Sequence, residues 1–205
     1  MVTVIESSEV RRILYLFARL LDYPCIDLTE AVRQCEGLVS AANPEAGRLM
    51  GEFRSFVEQT APGRLQEVYT TTFDLDATHH PYVGYHLFGE TYKRSAFLVG
   101  LKECYQAQGF SAEGAELPDH LTMMLGFLAC CEDQEMAGEL IEQALLPALE
   151  KMIGKDEQAP QHREASAYRG ALQALRLLLS PVGAADLESA TQGETLTGSE
   201  TGRLV

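Results

Sequence analysis

The sequence predicts an all-α fold, a single-domain bundle of about seven or eight helices, from three observations. Apolar residues recur at helical spacing along nearly the whole chain. No segment shows the strict alternation of a half-buried strand, and short proline-bearing or polar breaks separate the stripes. At 205 residues the chain suits one large domain whose core needs neither disulfide nor metal. It contains no internal repeat of solenoid period.

The elements follow in order. Val10, Ile13, Leu14, Phe17, Leu20 and Leu21 form a first apolar stripe that ends before Pro24. Leu28, Ala31, Val32, Cys35, Leu38 and Val39 form a second, with Asp27 as its expected N-cap. Leu49, Phe53, Phe56 and Val57 make a third, expected to close at Pro62-Gly63, and Leu65, Val68, Tyr69, Thr72 and Phe73 a fourth. Between Asp74 and Gly89 the periodicity lapses, and Pro81 and the polar start read as a loop.

Helical spacing resumes over 91–108, where Phe97, Gly100, Leu101 and Cys104 share a side and Gly109 suits a C-cap. Pro118 is expected to open a helix carrying Leu121, Met124, Leu125 and Leu128. The next helix, over 135–153, contains Pro147, which removes a backbone hydrogen bond and predicts a kink or break near Leu146. Tyr168, Ala171, Leu172, Leu175, Leu178 and Leu179 make the last stripe, stopped by Pro181. The helical domain is thus expected over 1–181. The Gly-, Ser-, Thr- and Glu-rich remainder, 182–205, is expected to be a disordered tail.

Composition narrows the function. A formal net charge of -14 disfavours nucleic acid and anionic membrane as partners, favours a basic one, and serves solubility. No apolar run approaches the roughly 20 residues that span a bilayer, so no stable membrane insertion is expected. The start of the chain carries Glu6 and Glu9 where a secretory signal would carry positive charge, which points to a cytoplasmic protein. The five cysteines form no C-x-x-C pair and no metal or disulfide framework, and Cys35, Cys104 and one of the adjacent Cys130 and Cys131 fall on or beside apolar helix faces, where they read as small hydrophobes.

The chemistry-bearing residues gather in two segments, Tyr82-Val-Gly-Tyr-His-Leu-Phe-Gly-Glu90 and Glu116-Leu-Pro-Asp-His120. His86 and His120 titrate near neutrality, and Glu90 or Asp119 would orient them if a general base were needed. Yet there is no evident nucleophile, phosphate loop or cofactor fingerprint. Asp119 and His120 equally suit helix capping, and His86 a buried hydrogen bond. Tyr82, Tyr85 and Phe88 either grip a peptide or seal the loop against the core. Arg94 and Lys93 sit at a helix start, against its dipole, so acids such as Glu90 or Glu116 are expected near them.

His79-His80 follows Asp76 at metal-ligand spacing but within a predicted loop, where a solvated pair is expected. The residues alone therefore leave a structural cluster, a docking site and catalysis open. An enzyme or metal-binding bundle using His79, His80, His86 and His120 stands as one alternative, and a general helical adaptor as another.

Read together, several segments resemble the dedicated assembly chaperones of molybdenum oxidoreductases, of the nitrate reductase delta-subunit (NarJ) type within the NarJ/TorD/DmsD superfamily. They are Leu20-Leu-Asp-Tyr-Pro24, Tyr69 to Phe73, His86-Leu-Phe-Gly-Glu90, Arg94, Tyr105 to Phe110, and Glu116-Leu-Pro-Asp-His-Leu121 with Phe127-Leu128. The resemblance implies a non-enzymatic cytoplasmic chaperone that binds the N-terminal leader of an apo catalytic subunit. It holds that subunit while molybdenum cofactor and iron–sulfur clusters are installed in the client, with none bound stably by the chaperone. Cofactor-synthesis proteins are further candidate partners.

Carried over residue by residue, the resemblance implies a peptide groove at Tyr82, Tyr85, His86, Glu90 and Arg94, beside Glu116, Asp119 and His120. Thr122, Gly126 and Ser95 depart from the common pattern and put the groove's detail in question. The client's identity and the oligomeric state are not readable from the chain.

Overall fold

The computed structural model describes residues 8–24, 27–111, 116–154 and 163–180. Among the described residues there are ten α-helical segments, and the only extended pairing is an isolated antiparallel bridge between Tyr82 and His120. In chain order they are α1 (Ser8–Leu20), α2 (Thr29–Ala42), α3 (Pro44–Gln59), α4 (Pro62–Tyr69) and α5 (Val83–Phe88). There follow α6 (Tyr92–Ala107), α7 (Leu121–Cys130), α8 (Gln134–Leu140), α9 (Leu146–Ile153) and α10 (Arg163–Leu179). The predicted fold class holds.

The core is built from facing stripes. α1 buries Val10, Ile13, Leu14, Leu16, Phe17 and Leu20 and packs on α2 and α7, while α3 lies between α2 and α10. Each such fully buried aliphatic or aromatic side chain contributes about 1.5–3 kcal/mol. Arg11 donates to the Cys131 carbonyl at 3.2 Å, which joins the start of α1 to the end of α7. The two helices therefore run antiparallel, and the end of α1 arrives at the start of α7. Tyr168 of α10 anchors an aromatic cluster with Phe53, Phe56, Tyr69 and Phe73. Asn43 closes α2 and caps α3, its Oδ1 accepting from Glu45 and Ala46 amides at 3.0 Å, with Pro44 at the first helical position.

Several local expectations are corrected. The stretch 74–89 is not a loop throughout: it holds a 3₁₀ turn at Ala77–His79 and all of α5. α5 has six residues and completes fewer than two turns, too few for an apolar stripe to repeat. Pro62-Gly63 does not close α3, which ends at Gln59; Pro62 starts α4. Leu28 rather than Asp27 holds the N-cap position of α2, although the Asp27 carboxylate accepts from the Thr29 amide at 2.8 Å. Pro118 lies in a turn ahead of α7, which begins at Leu121.

Pro147 does disturb its helix, but as a π turn at Ile141–Leu145 joining α8 to α9. The Leu146 amide reaches back to the Ile141 carbonyl, so the ladder widens just where proline cannot donate. A second π turn, Thr70–Asp74, continues α4. Gln108 holds the C-cap position of α6, and Gly109, one residue on, has φ +67°, the left-handed conformation that glycine supplies past a helix end. The tail assigned to 182–205 lies outside the described residues.

Candidate functional site

The two polar segments meet through a short backbone bridge. The Val83 amide donates to the Asp119 carbonyl at 2.8 Å and the Leu121 amide to the Pro81 carbonyl at 2.7 Å. Pro81 and Pro118 flank the bridge, and the Tyr105 hydroxyl pins the loop by donating to the Pro118 carbonyl at 2.8 Å. The starts of α5 and α7 are thereby fastened side by side.

At the centre lies an ion pair. Asp119 is 0% exposed, and Arg94 of α6 donates to it in a fork, Nε to Oδ2 at 2.9 Å and Nη2 to Oδ1 at 3.4 Å. This bidentate geometry is what guanidinium and carboxylate favour, and the buried carboxylate needs it. The Arg94 guanidinium also lies 5.4 Å from the centre of the Tyr82 ring. Tyr82 in turn packs edge-on against His120 at 5.3 Å and donates its hydroxyl to Glu116 at 3.2 Å. Burial, then the neighbouring Glu116 charge, raises the Tyr82 phenol above its ordinary pKa.

His120 is buried and hydrogen-bonded through Nδ1 to Thr122 Oγ1 at 2.7 Å. Burial holds its imidazole below the ordinary histidine pKa despite the acids around it. Tyr85 and His86 form a second cluster. The His86 Nε2–H donates to the His80 carbonyl at 2.7 Å, Tyr85 packs on both rings, and Lys151 of α9 donates to the His86 carbonyl at 2.6 Å. Desolvation lowers the His86 pKa. Glu90 is exposed, on the rim of a shallow depression of about 330 Å³ lined also by Thr91, Arg94, Ser95, Leu98 and Leu117.

The structure thus joins Tyr82, Arg94, Glu116, Asp119 and His120 in one network, with Glu90 beside it and Tyr85 and His86 in the neighbouring cluster. Capping is not what Asp119 and His120 do: no side-chain cap bond is made at His120, and Asp119 serves Arg94. Arg94 pairs with neither Glu90 nor Glu116, the acids expected near it. His79 is not solvated; it is buried, with Nδ1 donating to Asp76 at 3.1 Å.

Among the described residues, no group of three or more His, Cys, Asp or Glu side chains is placed to hold a metal ion. The imidazoles of His79, His86 and His120 each bond within the protein.

Gly84 is the site residue that sequence reasoning missed. A Cβ there would lie 2.7 Å from Asp119 Oδ2, 3.0 Å from Phe97 Cδ1 and 3.3 Å from Arg94 Cγ. The first turn of α5 therefore presses on the ion pair at a distance only glycine permits. The one faint signal is a glycine three residues after Pro81, in the run Tyr82-Val83-Gly84.

These features define an all-helical bundle whose polar centre is a network of ion pair, tyrosine and histidine. The chain belongs to the nitrate reductase delta subunit family, whose model matches residues 40–181. It is 40% identical over 72 residues to a Bacillus subtilis protein described as a nitrate reductase molybdenum cofactor assembly chaperone, NarJ, covering 35% of this chain and 39% of that one. It is 28% identical over 139 residues to the Escherichia coli K12 chaperone of the same description, covering 66% of this chain and 59% of the other. The matches thus span less than two thirds of these relatives' lengths.

A crystal structure described as a redox enzyme maturation protein from Archaeoglobus fulgidus shares the fold. Its TM-score is 0.56 at 20% identity, over 80% of this chain and 92% of that one. Among the described residues no helix is long and apolar enough to cross a membrane.

Proposed function

We propose that this chain is an assembly chaperone for a molybdenum oxidoreductase of the nitrate reductase class. In this reading it binds the N-terminal leader of the apo catalytic subunit and holds that subunit while molybdenum cofactor is inserted. Family membership carries the reading, since the curated relatives are described as cofactor assembly chaperones. The site's chemistry supports it. Glu90 and Glu116 are exposed acids beside Tyr82 and the half-buried Leu98, which suits a leader that is basic on one face and apolar on the other.

The eight residues assigned to the groove take different parts in this proposal. Tyr82, Glu90 and Glu116 touch the leader at its rim, and His120 lies beneath Tyr82. Arg94 and Asp119 keep the start of α5 in place, while Tyr85 and His86, tied to α9 through Lys151, set the far wall. No bond chemistry is asked of any of them, and the chain acts by holding and releasing.

The test is titration calorimetry of the purified chain with synthetic peptides of the first 20 or so residues of the Bacillus subtilis and Escherichia coli nitrate reductase catalytic subunits. Saturable binding that weakens with salt, and that is reduced by Tyr82→Ala with Glu116→Gln, is expected. Equal binding of scrambled peptides of the same composition would overturn leader recognition.

A further inference from the structure

The last turn of α5 sits among titratable groups whose charges the leader-binding reading leaves unused. His86 is tied at two points: its Nε2–H donates to the His80 carbonyl at 2.7 Å, and its own carbonyl accepts from Lys151 of α9 at 2.6 Å. A carbonyl can only accept, so Nε2 carries the proton and the lone pair of the neutral ring lies on Nδ1. The His80 ring packs on Tyr85 at 5.4 Å, and the Tyr85 ring on His86 at 5.6 Å. His79, beside His80, is buried.

The acids of the surrounding elements are engaged or exposed. Asp76 is bonded to His79 Nδ1 at 3.1 Å. The π turn Ile141–Leu145 packs on α5 and has one acid, Glu142, which is exposed. Glu150 of α9 is exposed and lies 3.6 Å from Arg176. From α6, Arg94 reaches the start of α5 and is already paired with Asp119. Burial first, and then the charges of His80, Lys151 and His79, hold the His86 imidazole below its ordinary 6.5 despite its bond to the His80 carbonyl.

α5 itself is short and fastened at few points. Its six residues end at Gly89, which has φ +62°. The Val83 amide holds the first turn to the Asp119 carbonyl, and the two bonds of His86 hold the last. The same six residues press Gly84 on the Arg94–Asp119 pair and follow directly on Tyr82, so a movement of the last turn reaches the polar network.

We infer that α5 is a proton-operated clasp: a proton taken from solvent onto His86 Nδ1 sets an imidazolium against the Lys151 ammonium, Lys151 releases the His86 carbonyl, and the end of α5 lifts from α9. The closed clasp favours the neutral ring, so it holds above pH 6.5 and loosens as pH falls through the lowered value of the folded chain. With an ordinary 6.5 in the open state, a fall from pH 7.5 to 5.5 raises the open fraction by at most about tenfold. The consequence for a client, which rests on the leader-binding reading above, is release: the opening of α5 draws Tyr82 away from Glu116 and His120.

Hydrogen–deuterium exchange of the chain alone, read by mass spectrometry at pH 7.5 and 5.5 and corrected for intrinsic rates, tests the clasp. Fragments covering 82–90 are expected to lose protection severalfold at pH 5.5 while those of α10 keep theirs. Equal protection of α5 at both pH values overturns the clasp, and so does a matching loss in α10, which would be global unfolding. His86→Gln keeps an N–H donor without a titrating ring and is expected to remove the pH step, whereas His120→Gln is expected to retain it. A step that survives His86→Gln, or that vanishes with His120→Gln, belongs to another group and overturns the assignment.

Calorimetry with the catalytic-subunit peptides at the same two pH values separates the clasp from the reading beneath it. Wild-type binding is expected to weaken severalfold at pH 5.5, and that weakening to disappear in His86→Gln. Binding that stays equal while α5 opens overturns client release. Absence of binding at either pH, with α5 still opening, overturns leader recognition and leaves the clasp standing.

Discussion

Replacing Gly84 by alanine should damage the site more than any contact of Gly84 itself suggests. The added methyl would sit 2.7 Å from Asp119 Oδ2, a separation that real Cβ atoms do not adopt, with Phe97 at 3.0 Å and Arg94 Cγ at 3.3 Å closing the other directions. α5 cannot easily retreat, because the Val83 amide is bonded to the Asp119 backbone and Lys151 holds the His86 carbonyl. Relief must therefore come from the carboxylate, which slides off the Arg94 fork.

Fully breaking a buried ion pair costs about 3–5 kcal/mol, and partial relaxation should bring the loss to about 2–4 kcal/mol. For a domain of this size that lowers Tm by roughly 5–12 °C. Urea denaturation read by circular dichroism measures it, with Gly37→Ala as the control. Gly37 lies in α2 with nothing within 4 Å of its built Cβ, so alanine there should stabilise by about 0.5–1 kcal/mol. A Gly84→Ala loss below about 0.5 kcal/mol would refute the claim that α5 presses on the ion pair.

Arg94→Ala, which leaves the Asp119 carboxylate buried and unpaired, should cost about 3–5 kcal/mol in the same assay, and adding Asp119→Leu should recover a large part of that loss. If the double variant is as unstable as the single, the pair is not the cause. Burial holds the His86 and His120 imidazoles below their ordinary 6.5, so the unfolded chain takes up protons more readily than the folded one. Their contribution to stability is thus present above pH 6.5 and lost as pH falls through the lowered folded values. The urea midpoint should drop between pH 7.5 and 5.5, and His86→Gln with His120→Gln should flatten that drop; a flat wild-type profile counts against it. Iodoacetamide should label the exposed Cys130 of the native chain quickly and spare Cys35, which is fully buried with its thiol pushed up to about 12. Mass spectrometry of the alkylated protein checks this, and rapid labelling of Cys35 would contradict the core packing.

The long helices were legible because each buries a stripe: α1 and α10 repeat their apolar residues over three turns or more, which periodicity detects. α5 was not, since six residues containing Gly84 and the polar rings of Tyr85 and His86 carry no repeat. The segments of the site were legible as clusters of unusual residues, but their pairing was not. Arg94 sits 25 residues from Asp119 in sequence, and nothing local says that it reaches past the nearer Glu90. The burial of His79 was hidden for the same reason, because it depends on how the 3₁₀ turn folds back on the bundle and not on its neighbours in sequence. Gly84 illustrates the limit most plainly: its necessity comes from what lies opposite, and the chain's own pattern has no means of showing that.

The central claim is that the chain enables cofactor loading of another protein. It is tested most directly by the molybdenum content of a nitrate reductase catalytic subunit purified from cells lacking their own delta-subunit chaperone, with and without this chain. Metal analysis is expected to find molybdenum near one equivalent with the wild-type chain and little without it. Equal molybdenum in the two preparations, with the catalytic subunit equally abundant, would contradict the account.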